Sequence, residues 1–312
     1  MIDEKIKLFE FAPYNAQEAE KTGYSNYSYW QSTFQVFLKD KIAVILLVLM
    51  IALITFTLIQ PYLPDQKLPT KIYTNASGIQ LRNHVPDSEF WFGTNSIGQD
   101  LWSRIWSGTR TSLLIGLLAG IWKAVIGITV GCLWGYVRKL DRLITEIYNV
   151  LDNIPTTIVM VLLAYILRPS IFTLVFAMCI TNWLSMARFV RNQIVMIRDR
   201  EYNLASRCLG TPVYRIIAKN LLPYLVSVIM LQLALAIPYA IGSEVFLTYI
   251  GLGLPLDTPS LGNLINEGRV IMMVPSLRYQ LIFPAVVLSI ITISFYVIGN
   301  AFADASDPRN HV

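Results

Sequence analysis

Residues 42–63 read IAVILLVLMIALITFTLIQPYL, without one Asp, Glu, Lys, Arg or His. A hydrocarbon layer about 30 Å thick is crossed by about 20 apolar residues in a helix, so this run predicts a bilayer span. Five further segments read the same way: Leu113 to Val137, Leu143 to Leu167, Ile171 to Met186 and a little beyond, Tyr224 to Ile250, and Leu281 to Ala303. The third is interrupted by Asp152, Asn153 and Pro155. Of the 312 residues 54% are hydrophobic and only 14% charged, where soluble domains carry about 25% charged residues. The expectation is an all-α integral membrane protein with six transmembrane helices.

Placement of charge sets the expected orientation. Short loops rich in Lys and Arg stay in the cytoplasm. Arg138, Lys139 and Arg142 crowd the second-to-third connection, and seven basic residues from Arg188 to Lys219 crowd the fourth-to-fifth. Lys39 and Lys41 precede the first span. Both termini are expected inside, with 64–112 outside. A net charge of +5 could also suit nucleic acid, but here it sits at membrane edges, so no nucleic-acid partner is expected. Cys132, Cys179 and Cys208 lie in spans or an inside loop, which argues against a disulfide framework. The first 38 residues hold no apolar core with a cleavage site, so the first span is expected to be an uncleaved anchor.

The expected organisation has five parts. Residues 1–41 form a cytoplasmic segment with Trp30, Phe34, Phe37 and Leu38 at helical spacing, read as an amphipathic helix on the inner surface. Residues 42–63 form the first span and 64–112 an extracellular loop, its Trp91, Trp102 and Trp106 suited to the interface. Residues 113–303 form a five-helix core with a cytoplasmic loop at 187–223, and 304–312 a cytoplasmic tail. Beyond the fifth span, Thr258 reads as an N-cap with Pro259 at the first position of a short outer helix or a partly re-entrant element.

The stretch 201–223 is too patterned for a plain connector. Glu201 to Leu209 is good helix material, and Gly210 can adopt the left-handed conformation that ends a helix. Thr211 can cap the next helix, with Pro212 at its first position, and Pro223 ends it before the fifth span. Leu209, Val213, Ile216, Ile217 and Leu221 make an apolar stripe, with Arg207, Arg215 and Lys219 mainly off it. This helix–Gly–helix elbow either presents an apolar face to a partner or rests on lipid headgroups.

Ionisable groups inside spans are functional candidates. Asp152, flanked by Asn149, Asn153 and Pro155, lies about 14 Å into the third span at about 1.5 Å per residue. It suits either a wall of a watery pathway or an interhelical hydrogen bond. Glu244 lies about 32 Å beyond Pro223 along a helix, near the outer edge, where it could form an outer gate or face water.

Enzyme readings fail on missing parts. There is no G-x-x-x-x-G-K-[ST] phosphate loop, so no ATP site is expected in this chain. His84 and His311 are the only histidines, which opposes a His-based triad or a metal site. Asp152 and Glu244 lie near different depths, which opposes a facing pair of carboxylates.

The elbow resembles the "EAA" loop of ABC-importer permeases, E-A-A-x-x-x-G followed ten residues on by I-x-L-P. Ala205, Ser206, Gly210, Leu222 and Pro223 fall on the pattern. Leu204 replaces the Glu, with Glu201 nearby, and Asn220 replaces the apolar residue. FGTNSIGQDLWSRIWSGTRTSL (92–113) is similar to F-G-T-D-x-x-G-R-D-x-x-S-R-x-x-x-G-x-R-x-S-L of peptide and nickel permeases, with Asn95 and Gln99 replacing an Asp and an Arg. NWLSMARFVRNQ (182–193), EVFLTYIGLGLPLDTPSLGNLI (244–265) and DASDPR (304–309) also resemble the second, C-type permease of oligopeptide and dipeptide importers. The resemblance covers nearly everything after residue 30. It implies type I ABC-importer permease architecture, with 201–223 as the coupling helix on an ATPase. It further implies a homologous second permease, two ATPase subunits that use ATP and Mg²⁺, an extracellular substrate-binding protein, and a peptide substrate moved by alternating access. This chain would bind no cofactor itself. A nickel or glutathione importer is the alternative within the family. A secondary transporter without an ATPase, or a membrane-embedded enzyme, is the alternative outside it.

Overall fold

The computed structural model describes residues 29–307. The expected segment before Tyr29, the end of the tail with Pro308 and Arg309, and His311 lie outside the described residues. In chain order the helices are α1 (Tyr29–Lys39), α2 (Lys41–Ile59), α3 (Leu101–Tyr136), α4 (Arg138–Asp152), α5 (Thr156–Ile166), α6 (Ile171–Ile197), α7 (Glu201–Cys208), α8 (Val213–Ile216), α9 (Leu222–Tyr249), α10 (Leu261–Ile271) and α11 (Tyr279–Ala305). Five stretches are each long and apolar enough to cross a membrane: Lys41–Tyr62, Leu101–Tyr136, Ile171–Ile197, Val213–Tyr249 and Tyr279–Ala305. The sixth crossing is α4 and α5 taken together, bent by 70° at a short break. Neither arm alone has the length to span. Pro155 explains the break: the residue after it starts α5, and its carbonyl accepts the first bond of that helix from Ile158.

The second span begins at Leu101, twelve residues before the expected Leu113, so the outer loop is 64–100 and not 64–112. Asp100 accepts a hydrogen bond from the Ser103 N–H at 2.8 Å and caps the helix. Polarity hid these first turns, because Ser103, Arg104, Thr109 and Ser112 are buried by tertiary contacts and not by lipid.

α3 is the hub of the bundle, packing on α6, α9, α10 and α4. Gly127, Gly131 and Gly135 recur at every fourth position on the face toward α6. A Cβ on Gly131 would lie 2.6 Å from the Ala187 carbonyl oxygen and 2.7 Å from Val190 Cβ. Small residues at this spacing let two backbones approach closely in a membrane, where packing replaces hydrophobic drive. Nearer the other end of α3, Gly116 faces Ile237 of α9 and Gly108 faces the backbone of Ser260 and Leu261. α2 sits at the edge of the bundle against α11.

The expected stripe on α1 divides. Phe37 is buried beside Phe302, their rings 6.0 Å apart. Trp30, Phe34 and Leu38, four residues apart, face outward. Of the three tryptophans expected at the interface, Trp91 stays exposed, while Trp102, now in the first turn of α3, packs edge-on with Phe56, Trp91, Phe92 and Trp106 at 4.8–5.8 Å. α10 starts later than expected. Ser260, not Thr258, is its N-cap, accepting from the Asn263 N–H at 3.0 Å, because Thr258 is held in the preceding turn by the Asn263 side chain.

Candidate functional site: the basic elbow and a polar cleft

The elbow starts where α6 ends. α7 closes with a Schellman turn, in which the Gly210 N–H donates to Arg207 O at 2.9 Å and the Thr211 N–H to Ser206 O at 3.1 Å. Gly210 has φ +76°, the left-handed geometry the sequence predicts there. Three local expectations are corrected, for Thr211, Pro212 and Pro223. Thr211 makes no side-chain cap: Pro212 is the N-cap of α8, and its carbonyl accepts from Arg215 and Ile216. Pro223 does not end the helix. It has no N–H to donate, and the backbone widens into a π-turn at Ile217–Leu221 just before it. The segment Val213–Tyr249 therefore runs on as one span, so the second arm of the elbow is the start of the span itself.

The stripe also splits. Ile216 and Leu221 are fully buried with Cys132, Met186, Val190 and Ile194 between α3, α6 and α9. Leu209 is 85% and Tyr214 72% exposed, and Leu204, Val213 and Tyr202 also face outward. The free apolar surface is thus the tip around Gly210, without Ile216. Glu201, Ala205 and Arg215 are exposed around it, Ser206 and Leu222 are half-buried, and Pro223 is exposed.

Side chains absent from the sequence-derived site hold the elbow rigid. Asn203 is fully buried and donates to Ile197 O at 2.9 Å. Asn220, the departure from the apolar pattern, donates to Asn203 Oδ1 and Ser206 Oγ, both at 3.2 Å, so its polarity is used to clamp α7 to the span. Asp199 gathers Arg207 (2.9 Å), Arg138 (3.2 Å) and Arg198 (3.3 Å). The hydrogen bond from Arg207 holds the Asp199 carboxyl below the usual carboxylate range, with Arg138 and Arg198 acting in the same sense. Arg207 also lies over the Tyr136 ring at 5.5 Å, joining the elbow to the end of α3. These contacts tie the elbow to the ends of α3, α4 and α6 and to the start of the α9 span.

The pathway candidates separate. Asn149, Asn153 and Pro155 are exposed at the break after α4, where Asn153 caps back onto the Asn149 carbonyl. Asp152 pairs with Arg188 at 3.4 Å and lines a cleft of about 250 Å³ with Lys123, Thr181, Asn182, Ser185 and Tyr239. Glu244 does not face water. It is 0% exposed and accepts from Ser260 Oγ (2.7 Å), Thr248 Oγ1 (3.1 Å) and Ser112 Oγ (3.5 Å). It knots α9 to α3 and to the start of α10. The along-helix distance placed it near the outer end of α9, but α10 folds back and covers it.

On the side opposite the elbow, buried Arg104 pairs with Glu267 at 2.7 Å. The two departures in the 92–113 stretch are themselves partnered: Asn95 Nδ2 donates to Gln99 Oε1 at 3.1 Å and to Glu267 Oε2 at 3.1 Å, and Arg104 donates to Gln99 Oε1. An acid and a base have been exchanged together for two amides that bond each other.

An all-α bundle of six crossings, with a polar cleft between its helices and a rigid elbow at its basic end, defines a membrane permease. Residues 127–312 match the family described as binding-protein-dependent transport system inner membrane component, and residues 28–81 match the N-terminal TM domain of oligopeptide transport permease C. The chain is 39% identical over 303 residues to the oligopeptide transport system permease protein AmiD of Streptococcus pneumoniae, covering 97% of both chains. It is 32% identical to the oligopeptide permease OppC of Bacillus subtilis, again over 97% of each. It is 33% identical to the dipeptide permease DppC of the same organism, over 94% of this chain and 90% of that one. A chain of the MetNI methionine ABC transporter in an inward-facing conformation shares the fold, with TM-score 0.52 and 21% identity over 65% of this chain and 96% of that chain. The chain belongs to this permease family: it is a multi-pass transmembrane subunit of an ABC-type importer, and not itself an enzyme.

Proposed function

We propose that this chain is one half of the translocation path of an oligopeptide importer in the cytoplasmic membrane, driven through the elbow 201–223. The relatives named above are oligopeptide and dipeptide permeases over nearly their whole length, which supports a peptide cargo over nickel or glutathione. Peptides are polar and cannot cross hydrocarbon unaided, and six helices line at most part of a path wide enough for them. A homologous second permease completes it. An external binding protein delivers the cargo, and two ATPase subunits bind ATP and Mg²⁺. Both termini and the elbow face the cytoplasm, as the basic loops suggest.

The observation that carries this reading is the exposed apolar tip, Leu209 with Leu204, Val213 and Tyr214, on a segment braced by Asn203, Asn220 and Asp199. A rigid apolar knob outside the spans fits a protein groove. A self-sufficient carrier has no need of one. Nucleotide-driven closure of the ATPases would move the tip as a rigid body and rock the bundle between inward and outward access.

In the assembled importer, Leu209→Asp is expected to lower ATP-driven peptide uptake about tenfold or more, equivalent to about 1.4 kcal/mol or more at the contact, with insertion unchanged. Leu209 supports nothing within the bundle, so undiminished uptake would remove the coupling role. Ile216→Asp is unsuited to this test because Ile216 is fully buried.

A further inference from the structure

The polar cleft contains a cation that the coupling account does not use. Lys123 lies 13 residues before Tyr136 in α3, about 20 Å from that end at about 1.5 Å per residue. Asn182 lies about 22 Å from the matching end of α6, and Tyr239 about 26 Å from the start of α9. The cleft thus lies inside the bundle, about 20–26 Å from the elbow-side ends of its helices. Lys123 is half-buried and makes no ion pair with any described residue. The one acid lining the cleft, Asp152, pairs with Arg188 at 3.4 Å, and Arg188 also donates to Tyr148 OH at 3.0 Å and lies over that ring.

Lipid cannot cover this face. Asp152 and Arg188 are 51% and 54% exposed, and Thr181, Asn182, Ser185 and Tyr239 add hydroxyls and an amide around them. Ionised groups at this depth face water, a ligand or another protein chain. Next to the polar cleft, and sharing Leu151, Thr156, Thr181 and Leu184 with it, lies an apolar cleft of about 560 Å³ walled by Trp122, Phe172, Phe176 and Trp183. A lysine with hydroxyl and amide neighbours, beside an aromatic-walled space, matches a chain end: a carboxylate with an apolar side chain next to it.

We propose that Lys123 is a specificity residue of the translocation path, receiving the C-terminal carboxylate of the peptide in transit. Asn182 and Tyr239 supply neutral hydrogen bonds beside it, and the aromatic cleft takes the last side chain. Asp152 pairs with Arg188, so the cleft and its rim carry two cations and one acid, a net attraction for an anion. The inference rests on the peptide reading of the preceding section.

The test uses the complete importer in proteoliposomes, with its binding protein, and one hydrophobic-ended peptide supplied as free acid and as C-terminal amide. Uptake of the free acid by the unaltered complex is measured first; if neither peptide is taken up while ATP is hydrolysed, the peptide reading fails independently of Lys123. Given uptake, Lys123→Gln is expected to slow the free acid about tenfold or more while changing the amide less than about twofold. Lys123→Arg should restore most of the preference, and ATP hydrolysis stimulated by the binding protein should be kept in both variants. Equal slowing of acid and amide by Lys123→Gln, or unchanged uptake of both, overturns the proposal. So does loss of the second permease from the purified Lys123→Gln complex, which would make the lysine an assembly charge.

Discussion

Glu244→Ala is expected to unseat α10 and to lower the stability of the detergent-purified chain by about 3 kcal/mol or more, the sum of buried donors left without an acceptor and a cavity. The carboxyl collects hydroxyls from three elements: Ser112 of α3, Thr248 of α9 and Ser260 at the start of α10. Ser112 in turn accepts from the Leu261 N–H at 3.1 Å, and Ser260 from Asn263. The first turn of α10 is therefore positioned by hydroxyls that themselves need Glu244. Truncation leaves buried donors without an acceptor, each costing about 1–3 kcal/mol, and opens a cavity. The carboxyl fills the space directly against Gly262, where a Cβ would lie 2.6 Å from it, so its removal leaves a void on the α10 side. Glu244→Gln keeps the volume and one acceptor oxygen and should lose less. Thermal unfolding of the three proteins side by side gives the comparison, and an alanine variant as stable as the parent would remove the knot from the account.

Gly131→Leu should prevent α3 and α6 from seating at all. The built Cβ is already below 3.0 Å from backbone at Ala187 and from Val190 Cβ, and neither neighbour is the far end of a flexible side chain. Overpacking typically costs about 1–3 kcal/mol even where side chains can shift. Here two backbones must part, and Gly127 and Gly135 on the same face lose their contacts with Met186 and Ile194 as well. The expected result is near-complete loss of monodisperse protein by size exclusion, with Gly131→Ala intermediate. Gly242→Ala is the control, since a Cβ there meets nothing within 4 Å. Normal yield from Gly131→Leu would mean that the helices do not meet as closely as described.

These two positions show where the sequence is legible and where it is silent. The run 42–63 announces a span because lipid imposes a length and a composition. Gly210 announces a turn because few other residues tolerate φ near +76°. In the elbow, local backbone rules announced the first helix and its stop at Gly210. Thr211 and Pro223 did not follow them, since a helix that must continue into a span can absorb a proline by widening one turn. The polar start of α3 read as loop because Arg104 finds its partner across the fold, at Glu267, while Asp100 caps the helix itself. Glu244 read as an outer-edge residue because distance along a helix says nothing about a second helix folded over it. The glycine rows on α3 and the lone Lys123 were visible as letters. Their meaning depends on which helix lies opposite, which periodicity along one helix does not encode. Asn220 looked like a flaw in a pattern until Asn203 was found beside it.

The most direct measurement of coupling uses a thiol the chain already has. Cys208 is exposed beside Leu209, whereas Cys132 and Cys179 are buried. A maleimide–benzophenone reagent placed on Cys208 in the assembled importer, then illuminated during ATP turnover, should join this chain to an ATPase subunit, in a yield that changes when hydrolysis is blocked. Adducts confined to lipid, with no joined ATPase subunit in any nucleotide state, would contradict the account.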